Sequence, residues 1–193
     1  MTRVFVGGSR RVSRLNDRIR SRLAELVRRD MQIVVGDANG ADRAIQRQLA
    51  AWRYENVTVF FVGKHPRNNE GAWPTRLVAT DARPRGFEYY AAKDKEMADV
   101  AECGLMLWDG ESRGTLQNVR RLVQHGKPVS LYLSPAKTFL NVTTESDLLA
   151  LPPESVPVNA HTSSATSSTH SKEDLDLFGE SIPPGRRSGR RSA

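Results

Sequence analysis

The chain has 193 residues, 38% of them hydrophobic and 26% charged, with a net charge of +7 at pH 7. That length suits one domain with a tail, and no apolar run is long enough to span a bilayer, so a membrane partner is not expected. The single cysteine, Cys103, excludes an internal disulfide framework and a cysteine-based zinc cluster; no metal or cofactor is expected. Cys103 sits among apolar residues and reads as a buried structural thiol.

Met1 leads straight into a strand-like run without a signal-type h-region, which makes the cytoplasm the expected location. From Leu151 onward, Lys172, Arg186, Arg187, Arg190 and Arg191 are balanced by Glu154, Glu173, Asp174, Asp176 and Glu180, so the positive excess lies on residues 1–150. A basic domain favours anionic partners such as nucleotides or nucleic acid, although an Arg-rich solvated helix face would have the same composition.

Residues 2–6 read as a buried strand. A helix follows over about 15–29, with Leu15, Ile19, Leu23 and Leu26 on one stripe and Ser13 as the expected N-cap. Residues 31–35 form a second strand, and a helix to about Trp52 turns Ala41, Ile45, Leu49 and Trp52 inward. A third strand spans 57–62. Residues 63–87 carry no periodicity. A helix over about 88–102, a strand over 104–108, a helix over 115–124, a strand over 128–133 and a short helix over 146–151 complete the pattern. This alternation predicts an α/β fold, a Rossmann-like three-layer sandwich on a five-stranded, mostly parallel sheet. The expected domain is 1–150. Residues 151–193, rich in Ser, Thr and Pro, are expected to be a disordered tail.

Three strand-to-helix turns carry the chemistry. In the first, Gly7 and Gly8 permit close backbone approach, and Ser9 and Arg10 offer a hydroxyl and a guanidinium to an anion. The second runs Gly36-Asp37-Ala38-Asn39-Gly40-Ala41-Asp42; there Asp37 or Asp42 could accept from a ribose hydroxyl, or Asp42 could simply complement the helix dipole. The third places Asp109 after a buried strand, opens the backbone at Gly110 and Gly114, and adds the hydroxyls of Ser112 and Thr115, the latter also a candidate helix cap. In a parallel sheet such turns lie side by side at the carboxyl ends of the strands, where free N–H groups and helix N-termini suit a phosphate.

These segments, together with Lys93-Asp94-x-x-Met97, resemble the SLOG superfamily over about residues 2–133, and within it the YspA-like proteins. The superfamily also contains the cytokinin-activating phosphoribohydrolases and DNA-processing protein A. The resemblance implies a Rossmann-like sheet with a nucleotide-like ligand over the turns. One position departs from the pattern. The phosphoribohydrolases and the related deoxyribosyltransferases place a catalytic glutamate three residues after the threonine of the third turn, where this chain has Asn118. An amide cannot act as nucleophile or general base there, which favours binding over N-glycoside cleavage. Glu111 and Asp109 are the only stand-in carboxylates the turn supplies.

The expected ligand contacts are therefore Gly7, Gly8, Ser9, Arg10, Gly36, Gly40, Asp42, Lys93, Asp94, Asp109, Gly110, Ser112, Gly114 and Thr115. Lys93 and Asp94 point either at the ligand or into an exposed charge run with Lys95 and Glu96. The 63–87 stretch interleaves Lys64, His65, Arg67, Arg76, Arg83 and Arg85 with Trp73, then meets Phe87, Tyr89 and Tyr90. That composition suits a lid over a base, a single-strand track, or a basic loop anchored by Trp73. In the tail, Leu175, Leu177 and Phe178 resemble the bacterial sliding-clamp-binding pentapeptide, with Asp174 in place of its usual glutamine. The expected function is binding or sensing of a nucleotide or nucleotide-derived ligand. Alternatives are a nucleoside N-glycosidic hydrolase or transferase, or single-stranded DNA binding in the manner of DNA-processing protein A. A sliding clamp, nucleic acid and a second copy of the chain complete the candidate partners.

Overall fold

In the computed structural model, residues 1–84 and 86–151 are described; the expected tail, including Leu175, Leu177 and Phe178, lies outside them. The chain runs β1 (Arg3–Gly8), α1 (Asp17–Arg28), β2 (Gln32–Gly36), α2 (Ala41–Ala51), β3 (Val57–Phe61), β4 (Thr75–Leu77), α3 (Phe87–Val100), β5 (Cys103–Trp108), α4 (Arg113–Gln124), β6 (Val129–Leu133), β7 (Thr138–Val142) and α5 (Glu145–Leu149).

One sheet holds all seven strands in the order β4-β3-β2-β1-β5-β6-β7, parallel except for the β6–β7 pair. The α/β class is as expected, but the count of five strands is corrected to seven among the described residues. β4 is three exposed residues added to β3, pairing Phe60 with Arg76. So short and polar an edge strand carries no alternation to read. β7 returns as a hairpin on β6 and is only partly buried; Lys137, at a φ of 51°, turns the chain back.

Buried side chains alternate along the central strands. Phe5, Val34, Phe60, Met106 and Trp108 share one core cluster with Met97 and Ala98 of α3 and Val119 and Leu122 of α4. Val4, Val6, Ile33, Val35, Leu105 and Leu107 are equally buried and occupy the alternate positions, which face the other side of the sheet. The strand order reverses direction after β1: β2 and β3 build outward on one side of it, β5 and β6 on the other. The carboxyl ends of β1 and β5 are thus a topological switch point, where open α/β sheets place their ligands.

Two caps differ from expectation. Asn16, not Ser13, starts α1, with its Oδ1 accepting from the Ile19 N–H at 3.0 Å; Ser13 is held in a preceding turn by its N–H to the Arg11 carbonyl. Ser112, not Thr115, caps α4, accepting from the N–H and the hydroxyl of Thr115. Cys103 is buried, and desolvation pushes its thiol up to about 12. No helix among the described residues is long and apolar enough to cross a membrane.

Candidate functional site

The three Gly-rich turns meet at one residue, Ser9. Its N–H donates to the Leu107 carbonyl at 2.8 Å, and its carbonyl accepts from Ala41 N–H at 3.1 Å, tying the first turn to β5 and to the start of α2. Its hydroxyl donates to Asp109 Oδ2 at 2.7 Å and accepts from the Arg11 N–H. Glycine is required at two contacts. A Cβ on Gly8 would overlap the Leu107 carbonyl, and one on Gly40, which has a φ of +86°, would overlap the Arg10 carbonyl. Gly8 therefore allows β1 to run against the end of β5, and Gly40 allows the second turn to sit on the first.

Asp109 organises the third turn. Besides Ser9 it accepts from the N–H groups of Glu111 at 3.1 Å and Ser112 at 2.8 Å. Burial would raise its pKa, but these hydrogen bonds outweigh it and hold the carboxyl below its ordinary value. Glu111 is exposed and ion-paired with Arg11.

The turns enclose a cleft of about 490 Å³ at the switch point. Of the expected contacts, Gly7, Gly8, Ser9, Arg10, Asp42, Lys93, Asp94, Asp109, Ser112, Gly114 and Thr115 line it, as does Glu111. Gly36, Gly40 and Gly110 do not. Gly36 lies just behind the wall, where a Cβ would crowd the Asp42 carboxylate and Lys93 Nζ. Gly110 sits at a φ of +87° with only Pro135 near its missing Cβ, so it shapes the turn.

The floor is a buried charge array. Lys93 is 4% exposed; its Nζ lies 2.6 Å from Asp94 Oδ1 and 4.0 Å from Asp42 Oδ2. The exposed run with Lys95 and Glu96 is thus not Lys93's setting. Asn118 donates from Nδ2 to Asp94 Oδ2 at 3.2 Å and accepts from Arg121. Burial dominates the Asp42 carboxyl and pushes its pKa up to about 6, against the pull of Lys93. For Lys93 burial acts downward but is overcome by Asp94 and Asp42, leaving the ammonium above its ordinary value. The floor holds two carboxyl groups and one ammonium.

One wall comes from the 63–87 stretch. Arg67 donates from Nε and Nη2 to Asp37 at 2.9 and 2.6 Å, and from its backbone N–H at 3.0 Å. Asp37 is fully buried, and this clamp keeps it below its ordinary value despite desolvation. Asp37, offered by the sequence as a ribose acceptor, is therefore occupied by Arg67. The Arg67 guanidinium lies 4.7 Å from the Tyr90 ring centre and that of Arg10 at 5.5 Å. Trp73 anchors the same stretch, buried and donating from Nε1 to the Tyr54 carbonyl at 2.8 Å. Lys64, His65, Arg76 and Arg83 do not reach the cleft; Arg76 pairs with Glu96. Further residues that line the cleft, outside the expected contacts, include Arg11, Ala38, Arg67, Phe87, Tyr90, Gln117 and Asn118.

No family model matches the chain, and no curated protein matches its sequence. Its fold is similar to that of DNA processing protein A from Helicobacter pylori, described for its unique single-stranded DNA binding mode. The two are 19% identical with a TM-score of 0.51, and the match covers 67% of this chain and 64% of that one. The chain thus spans less than two thirds of that structure, and the likeness is one of fold.

Proposed function

We propose that the protein binds a nucleotide or nucleotide-derived ligand in the switch-point cleft. The observation that carries this reading is the segregation of charge within it. The floor has two carboxyl groups and one ammonium, Asp42, Asp94 and Lys93, and suits sugar hydroxyls, which can donate to the carboxylates and accept from the ammonium. A phosphate on that floor would face the two carboxyl groups. At the mouth Asp109 is taken up by three donors and Glu111 is paired with Arg11. Arg10 and Arg11 flank the mouth, and nothing stands within 4 Å of where a Gly114 Cβ would be, leaving the first turn of α4 open to an anion. The ligand therefore enters sugar first, with its phosphate at the mouth and its base near Tyr90 and Phe87.

Isothermal titration of the full chain with the four nucleoside 5′-monophosphates, adenosine, ribose 5-phosphate and inorganic phosphate tests this. A monophosphate should bind more tightly than its nucleoside. Arg10→Ala should weaken the monophosphate about tenfold, the equivalent of one charge-assisted contact, and leave the nucleoside unchanged. Asp94→Asn should weaken both. If no nucleotide binds, the reading is wrong.

Single-stranded DNA binding is a second reading, favoured by the fold likeness to DNA processing protein A together with the net charge of +7. It requires affinity for an oligonucleotide that falls steeply with salt. Glycosidic cleavage is less well supported. Asp109 is occupied by three donors, Glu111 is paired with Arg11, and Asn118 donates to Asp94. Ribose release from a monophosphate, abolished by Glu111→Ala, would restore it.

A further inference from the structure

A second depression of about 360 Å³ adjoins the main cleft and shares Arg11 and Asp109 with it. Its own lining adds Arg14, Asn16, Tyr132, Ser134 and Lys137. Arg14 and Lys137 are exposed, and Arg14 has no ion-pair partner among the described residues. The wall is fixed: Asn16 donates to the Tyr132 hydroxyl while capping α1, and the Lys137 carbonyl accepts from Arg18 at 3.1 Å. Apart from Asp109, already satisfied by three donors, the lining brings no carboxylate. Three cationic side chains thus surround a hollow, backed by the buried Val12 and Ile19, that begins where the main cleft ends.

We infer that this hollow is a second phosphate subsite, so that the ligand carries a further phosphate beyond the one at the mouth. The inference rests on the proposed orientation, which leaves the first phosphate beside Arg11. Arg11 lines both spaces and is held at the boundary by Glu111. Glu111 competes with an incoming phosphate for that guanidinium. An extension continuing from the first phosphate passes Arg11 and arrives between Arg14 and Lys137. Two ligands share this chemistry: a nucleoside diphosphate, with the second phosphate directly attached, and a short oligonucleotide, with it one nucleoside away.

The test is titration of the full chain with AMP, ADP and 5′-phosphorylated diadenylate, in wild type, Arg14→Ala, Lys137→Ala and Glu111→Gln. ADP or the dinucleotide should bind on the order of tenfold more tightly than AMP, as one further charge-assisted contact provides, and which of them gains identifies the source of the phosphate. Arg14→Ala and Lys137→Ala should remove that gain and leave AMP unchanged, since neither residue lines the main cleft. Glu111→Gln should enlarge the gain. If AMP binds but neither longer ligand gains, or the gain survives both substitutions, the second subsite is refuted while the nucleotide reading stands. If no nucleotide binds, both fall.

Discussion

Asp42 provides a measurable link between the site and the stability of the fold. The residue is 6% exposed, and its carboxyl accepts from the Ala38 N–H at 3.1 Å and has Lys93 Nζ at 4.0 Å. Burial raises its pKa from 3.8 to about 6. A carboxyl raised on folding binds its proton more tightly in the native state. Native stability is then greatest below the unfolded value and falls as pH rises through the folded one. The full difference is about 3 kcal/mol, from two pKa units at 1.36 kcal/mol each. Roughly 2 kcal/mol of it falls between pH 4.5 and 7.5, because part is already lost by pH 4.5. Asp42→Asn keeps an acceptor for Ala38 and removes the titration. Other carboxyls, Asp37 and Asp109 among them, are lowered and act in the opposite sense, so the quantity to measure is the difference between variant and wild type. Urea unfolding followed by tryptophan fluorescence at both pH values supplies it. Relative to wild type, Asp42→Asn should gain about 2 kcal/mol on going from pH 4.5 to 7.5. A difference independent of pH would show that Asp42 is ionised in the native state throughout that range.

Three further outcomes are expected. Gly40→Ala should destabilise by about 2 kcal/mol or more, because a positive φ combines with overlap of the Arg10 carbonyl; a thermal-melt shift near zero would refute the contact between the first two turns. Arg67→Ala leaves Asp37 buried without its cation and should cost about 2 to 3 kcal/mol, less than for a fully buried pair because Arg67 is 35% exposed. Asp37→Asn with Arg67→Leu should recover much of that loss in the same urea assay, and failure to recover would mean the pair is not the source. The Cys103 thiol, pushed up to about 12 by burial, should react with a disulfide reagent at pH 8 only at the rate of unfolding. Rapid stoichiometric labelling of the native protein would contradict its placement.

What could be read from the sequence was what is local. Buried strands, amphipathic helices and the glycines that end them lie within a few residues of one another, and the parallel alternation follows from them. β4 was not legible because Thr75–Leu77 has no apolar alternation; it is a strand only because β3 offers an open edge. Asp37 and Arg67 are separated by thirty positions, and nothing local in either announces the clamp. Lys93 is a different case, since a signal was present. It stands four residues before Met97, on the same buried side of α3. The neighbouring Lys95 and Glu96 gave that stretch the composition of a solvated face, so Lys93 entered the expected contacts through the resemblance and not through the stripe.

The Gly-rich turns also divide differently in space than in sequence. Ser9 and Asp109 are the most motif-like polar residues, yet their hydrogen-bonding groups are used to join the three turns. Gly8 and Gly40 are needed for the backbone approaches that this joining demands. A residue can thus be indispensable to the cleft without being available to its contents. The groups left facing the interior are the guanidinium of Arg10, the open first turn of α4, the ring of Tyr90 and the Lys93–Asp94 pair held by Asn118. Asn118 is central to that division. An amide there can donate to Asp94 at neutral pH, which a glutamate in its place could not do while ionised. The amide at position 118 therefore holds a carboxylate on α3 beside the cleft, where it can accept from a hydroxyl. The specificity of this cleft should accordingly change more on altering Asp94 or Arg10 than on altering the glycines that made the site recognisable.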